Sequence, residues 1–228
     1  MDTTFLEENP IITKATIKKT LGCSDDYAYT VLNRLLNKKK IYKIIKGKYT
    51  TKNDIYFVAT NLFNPSYLSF WSCAYFKGYT EQIVNTIQLA TSRPHKKIFF
   101  QNYIIESHTM PKKMFFGYEK ILHNQGFIFV ADDEKLVIDA IYKEDLMGNF
   151  DEIIKMIEKT KIDKEKVTHY LNSINNSSLK KRVGFILEKY KNIDISENMR
   201  YKDKNYVKLS SYKKNNKLDP KWMVEYDL

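Results

Sequence analysis

At 228 residues and 43% hydrophobic, the chain is long enough for two small domains with buried cores, and its net charge of +11 suits a polyanionic partner. Two cysteines, Cys23 and Cys73, form no CxxC pair and suggest no disulfide framework, which fits the reducing cytoplasm. The most apolar stretch, Tyr67 to Phe76, is interrupted by serines and falls far short of a membrane span, and no secretory signal is visible at Met1.

The first predicted element is a short helix carrying Ile17 and Leu21, four apart on one face. Gly22 follows, where a helix end needs a residue at ease with positive φ. Ser24 or Asp25 then caps a second helix that turns Ala28, Val31, Leu32 and Leu35 inward. This leaves Asp26, Tyr27, Tyr29, Thr30, Asn33 and Arg34 facing out. From Asn33 to Lys52 the chain carries Arg34, Lys38, Lys39, Lys40, Lys43, Lys46, Lys48 and Lys52 with no Asp or Glu. Within that run, Ile41–Ile45 and Lys48–Thr51 flank Lys46-Gly47, which predicts a hairpin.

Helix, turn, helix, basic hairpin is the order of a winged helix-turn-helix, which sets one helix in the major groove and grips adjacent phosphates. The candidate DNA-binding residues are Ser24, Tyr27, Tyr29, Thr30, Asn33, Arg34, Lys39, Lys43, Lys46 and Lys48. Asn33 suits adenine, and Arg34 suits guanine or a phosphate. Lys46 and Lys48 suit phosphates, which give affinity without sequence choice. Asp25 and Asp26 repel phosphate, so at least one is expected to act as a cap. The competing reading is a solvated lysine face on a module that docks proteins.

A seam falls at Thr50–Asn53, giving domains 1–52 and 53–228. Residues Asp54–Leu62 read as a strand, and Asn64-Pro65 as the start of a helix over Ser66–Lys77 that Gly78 ends. Strands are predicted over 84–91, Ile98–Ile105, Met114–Tyr118 and Gly126–Val130, with a helix over Asp132–Tyr142. Helices capped by Asn149 and Asp163, and a third from about Ser178, follow. Edge strands or packed extensions at Tyr206–Leu209 and Trp222–Val224 close the chain. The fold class is therefore α+β: a winged helix-turn-helix, then a mixed α+β domain ending in a helical region.

Charge is concentrated at the two ends. Residues 1–52 hold 11 basic and 5 acidic groups, residues 53–150 hold 9 and 10, and residues 151–228 hold 18 and 12. The sequence carries no GxxxxGK[ST] loop, no GxSxG elbow and no HExxH. His95, His108, His123 and His169 are scattered and read as structural. The acidic group Asp132, Asp133, Glu134 and Asp139 lies at a predicted helix, where Asp132 has a sufficient role at the positive end of the dipole. No cofactor, metal or catalytic residue is expected.

Lys46 to Tyr49, Asn64 to Phe70, Ala131 to Asp139 and Arg182 to Glu188, taken in order, resemble segments of the AbiEi-type antitoxins of the AbiE type IV toxin–antitoxin and phage-defence systems. Lys46-Gly47-Lys48-Tyr49 is similar to that family's basic wing. Asn64-Pro65-Ser66-Tyr67-Leu68-Ser69-Phe70 is similar to its Pro-Ser-Tyr segment. Ala131 to Asp139 resembles its Ala-x-x-Glu-(Lys/Arg)-x-(Leu/Val)-x-Asp signature, and Arg182 to Glu188 its Arg-Leu-Gly-Tyr-Leu-Leu-Glu helix. The resemblance implies a repressor and antitoxin that binds double-stranded DNA at its own promoter, inverted repeats being one arrangement. It also implies that the chain counteracts a nucleotidyltransferase-type toxin, without requiring a tight complex. Glu134, Asp139, Arg182 and Glu188 carry over only as signature positions, expected to form a buried charge and cap network, with a salt bridge between the two segments. The rivals are a nuclease or nucleic-acid-modifying enzyme with a winged-helix targeting domain, and a ligand-responsive transcription factor without a toxin.

Overall fold

The computed structural model describes residue 6 and residues 9–124, 126–199, 203–210 and 217–227. Its architecture is α+β, and packing divides the chain into two compact units. The first comprises residues 1–68, 85–109 and 120–129, and the second residues 69–84, 110–119 and 130–228. This differs from the division at residue 52 read from composition, because the chain passes repeatedly between the units.

In the first unit, helices α1 (Lys14–Leu21) and α2 (Asp25–Asn37) precede a hairpin of β1 (Tyr42–Ile45) and β2 (Lys48–Thr50). One apolar cluster joins them, with Ile12, Ile17, Ala28, Val31, Leu32, Leu35, Ile41 and Tyr49 all buried. Truncating one of its larger aliphatic members to Ala should cost about 2–5 kcal/mol. Helix α3 (Ile55–Leu62) then packs against two strands of a six-stranded sheet. Those strands are β3 (Ser66–Leu68) and β4 (Thr86–Thr91). The others are β5 (Ile98–Phe100), β6 (Tyr103–Thr109), β7 (Tyr118–His123) and β8 (Gly126–Ala131), in the order β5-β6-β4-β3-β8-β7. Strands β4 and β6 run parallel, while β5 against β6 and β3 against β4 are antiparallel.

The second unit is mainly helical. It holds α4 (Phe70–Phe76), α5 (Asp133–Tyr142), α6 (Phe150–Lys159), α7 (Lys164–Ser173) and α8 (Ser177–Lys191). Helix α5 packs against α4, α7 and α8. A three-stranded sheet of β9 (Val207–Lys208), β10 (Lys217–Asp219) and β11 (Val224–Tyr226) lies in the order β10-β11-β9. No helix of the described residues is long and apolar enough to cross a membrane.

Four elements differ from the sequence reading. The strand expected over Met114–Tyr118 begins only at Tyr118, after a 3-10 turn at Lys112–Met114. Residues 55–62 form a helix, not a strand: Asp54 Oδ1 accepts the Phe57 N–H at 2.8 Å, and the helix is buried on most sides. With little polar face, its β-branched and aromatic residues carry no helical period to read. The helix expected from Ser66 begins only at Phe70, and Asn64 is no cap; the Asn64–Pro65 peptide is cis. The Ser66 hydroxyl donates to the carbonyls of Thr60 and Phe63 at 3.0 and 2.9 Å, holding the chain extended into β3. The single strand expected over Ile98–Ile105 is a hairpin, turning at Gln101 with φ 54°.

Candidate nucleic-acid interface

Local capping sets the geometry of the first two helices. The Thr13 hydroxyl accepts the Thr16 N–H at 3.1 Å, and the Thr16 hydroxyl accepts the Thr13 N–H at the same distance. These reciprocal bonds fix the start of α1. Gly22 ends it at φ 58°, the left-handed conformation that favours a residue without Cβ. The Ser24 hydroxyl accepts the Tyr27 N–H at 3.3 Å and caps α2. The hairpin is tied to the strand-like segment before α1 by two backbone bonds between Ile12 and Tyr49, of 2.7 and 2.9 Å. Two helices and a hairpin are thus fixed around one core.

The outer face of α2 carries Tyr27 at 43% exposure, Tyr29 at 60%, Thr30 and Arg34 exposed, and Asn33 half-buried. Lys39, Lys43 and Lys46 are exposed beyond it, with Lys39 in the left-handed region at φ 53°. Three of the sequence-derived candidates have structural duties. Ser24 is the helix cap. The Thr30 hydroxyl donates to the Asp26 carbonyl at 2.9 Å. The half-buried Lys48 donates to the Leu62 carbonyl at 3.3 Å, so its ammonium is turned back toward the protein. What faces outward is therefore Tyr27, Tyr29, Asn33, Arg34, Lys39, Lys43 and Lys46.

The expected repulsion from Asp25 is answered by two residues that the sequence reading missed. Lys14 and Lys18 of α1 reach its carboxylate at 2.6 and 2.8 Å. Hydrogen bonds from Lys14 and Lys18, and then their charges, pull the Asp25 carboxyl down to about 2. The same pairing raises the Lys18 ammonium. Asp25 therefore presents no uncompensated negative charge near the start of α2. The available signal was the four-residue spacing of Lys14 and Lys18, which puts both on one face of α1.

The four signature positions of the second unit each have bonding partners outside the set. Glu134 accepts the Asp163 N–H at 2.8 Å and the Lys166 ammonium at 2.9 Å. Asp139, fully buried, pairs with Lys135 one turn away and accepts the Ser69 hydroxyl at 2.8 Å. Arg182 faces Glu144 at 3.8 Å, and burial first of all lowers its pKa. Glu188 accepts the Trp222 indole N–H and the Lys221 ammonium, the latter at 2.6 Å. These bonds join Glu134, Arg182 and Glu188 to residues outside both segments, and Asp139 to Ser69 and to Lys135 within its own segment.

No group of three or more His, Cys, Asp or Glu among the described residues is arranged to hold a metal ion. His95 stacks on Phe63 with ring centroids 3.9 Å apart, and His123 lies 3.2 Å from the Asp54 carboxylate.

Comparison with solved structures finds a likeness to the crystal structure of the RV2827C protein from Mycobacterium tuberculosis. The TM-score is 0.63 and the identity 11%, over 97% of this chain and 88% of that one. The likeness is one of fold. No family model matches the sequence. No curated protein matches it either.

Proposed function

We propose that this chain is a winged helix-turn-helix DNA-binding regulator of the AbiE antitoxin kind, acting as repressor of its own operon. The observation that carries the DNA half is the outward array on α2 and the hairpin: Tyr27, Tyr29, Asn33 and Arg34 beside Lys43 and Lys46. It is strengthened by Lys14 and Lys18, which neutralise Asp25 at the same end of α2. Helix α2 would enter the major groove, Asn33 and Arg34 would meet base edges, and the hairpin lysines would meet phosphates.

The antitoxin half rests on the four matching segments. The hydrogen bond from Ser69 to Asp139, which joins two of them, supports reading those segments as parts of one folded unit. On this reading no reaction is assigned to the chain, and its partners are double-stranded DNA and the action of a nucleotidyltransferase toxin.

The test is equilibrium binding to the chain's own upstream DNA and to random duplex across a range of salt. Lys43→Ala with Lys46→Ala should weaken binding to both duplexes and flatten the salt dependence by about 2, at about 0.9 per phosphate contact. Asn33→Ala should instead reduce discrimination between the two, by about 1–3 kcal/mol. No preference for the upstream DNA in the wild-type protein overturns the repressor reading. Failure to relieve growth arrest by a neighbouring nucleotidyltransferase overturns the antitoxin half alone.

A further inference from the structure

The first unit has a second basic surface, separate from the outer face of α2. A cleft of about 620 Å³ is lined by Lys48 and Phe63 on one side and by Arg93, His95, Lys96 and Lys97 of the β4–β5 loop on the other. No acidic side chain lines it, although the exposed Lys97 is paired with Glu106 at 2.9 Å. Arg93 and Lys96 are exposed.

The loop that carries these cations is held by its own bonds. The Thr91 hydroxyl donates to the Arg93 carbonyl at 2.9 Å. The His95 N–H donates to the Ser107 hydroxyl at 3.0 Å, and that hydroxyl donates back to the His95 carbonyl at 3.2 Å. The His95 ring, stacked on Phe63, anchors the loop's centre against the segment after α3. Burial, then the charges of Arg93 and Lys48, lowers the His95 pKa. Freely moving surface lysines lose rotamer and backbone entropy when they bind an anion; a loop already fixed loses less. Because Lys48 belongs to β2 and also lines the cleft, the loop's cations and the hairpin share one border.

We propose that the β4–β5 loop is a second phosphate clamp, with Arg93 and Lys96 gripping the backbone of the same duplex beside the β1–β2 hairpin. The inference rests on the DNA-binding reading above and extends its footprint. Its chemistry is sequence-independent: an arginine fork and an ammonium on phosphate oxygens, with no base contact.

The test is the salt dependence of binding to an upstream-sequence duplex and a random duplex for Arg93→Ala with Lys96→Ala, alongside Lys43→Ala with Lys46→Ala. The loop variant should lose about 2 from the salt slope on both duplexes and keep the wild-type preference between them. Arg93→Lys with Lys96→Arg should restore the slope. Melting temperatures within error of wild type are expected, since both side chains are exposed. A flattened slope for the hairpin variant with an unchanged one for the loop variant overturns the clamp and leaves the main reading standing. The reverse pattern keeps the loop as a DNA contact and removes the hairpin. Absence of salt-dependent binding in the wild type overturns both.

Discussion

The Trp222 ring occupies the space that a side chain at Gly184 would need, and a Cβ built on Gly184 would collide with it. One turn further along α8, Glu188 accepts the Trp222 indole N–H, so the helix grips the tryptophan at two points on one face. Trp222 is 1% exposed, which makes this contact a main anchor of the C-terminal segment on α8. Gly184→Ala should therefore destabilise the protein by about 1–3 kcal/mol through overpacking, although alanine favours helices. Trp222→Ala should cost about 3–5 kcal/mol. Denaturant unfolding would measure both, and the double variant should fall short of the sum. Unchanged stability in Gly184→Ala would show that the ring moves aside freely.

Lys135 and Asp139 form an ion pair with both side chains fully buried. Removing one partner leaves the other charge buried without this counter-ion, so Lys135→Met should cost about 3–5 kcal/mol. Pairing it with Asp139→Asn should recover part of the loss. A double-mutant cycle should give a coupling above about 1 kcal/mol, and a value near zero would mean that the two charges act independently.

Asp133 gives a pH dependence. Burial alone would lift its pKa, but hydrogen bonds from the Lys77 ammonium, the Tyr79 hydroxyl and the Lys161 N–H outweigh it and hold the carboxyl below its ordinary value. A carboxyl depressed on folding contributes stability that is present above the ordinary carboxylate range and lost as pH falls through the folded value. Wild type should thus lose stability at acid pH more steeply than Asp133→Asn. At neutral pH the variant should already be weaker by about 1–3 kcal/mol. Parallel stability–pH curves for the two proteins would contradict this.

Asp25 offers a gain-of-affinity test of the proposed interface. Asp25→Asn releases Lys14 and Lys18 from their pairing and removes a negative charge from the start of α2. Binding should tighten on upstream and random duplexes alike, with a steeper salt dependence. The pair is exposed, so stability should change little. Weaker binding would mean that the carboxylate positions α1 or contacts a base directly.

Local chemistry was the most legible layer of this sequence. Asp132, Asn149 and Asp163 were readable as helix starts, and each accepts the N–H three residues on, from Lys135, Glu152 and Lys166. Those caps depend only on neighbours in the chain. Burial on several sides was not legible: Ile55–Leu62 has the residues of a strand, yet Asn61 reaches the carbonyls of both Phe57 and Phe127 from a helix. Long-range partners were the least legible. Nothing in the sequence announces that Glu188 meets Trp222 or that Lys48 turns to Leu62. The same applies to the candidate interface, where composition marked the lysine-rich run but could not separate Lys46, facing out, from Lys48, facing in.

Ser69, Lys135 and Asp139 bring a hydroxyl, an ammonium and a carboxylate together across 70 positions of sequence. Exchanging any of the three for an apolar residue removes a bond from a buried neighbour, so evolutionary change at these sites should be concerted. In distant relatives the triplet should persist intact or vanish together in favour of hydrocarbon side chains. Such joint inheritance would supply a landmark for aligning chains of this fold where overall identity has sunk to the level of chance.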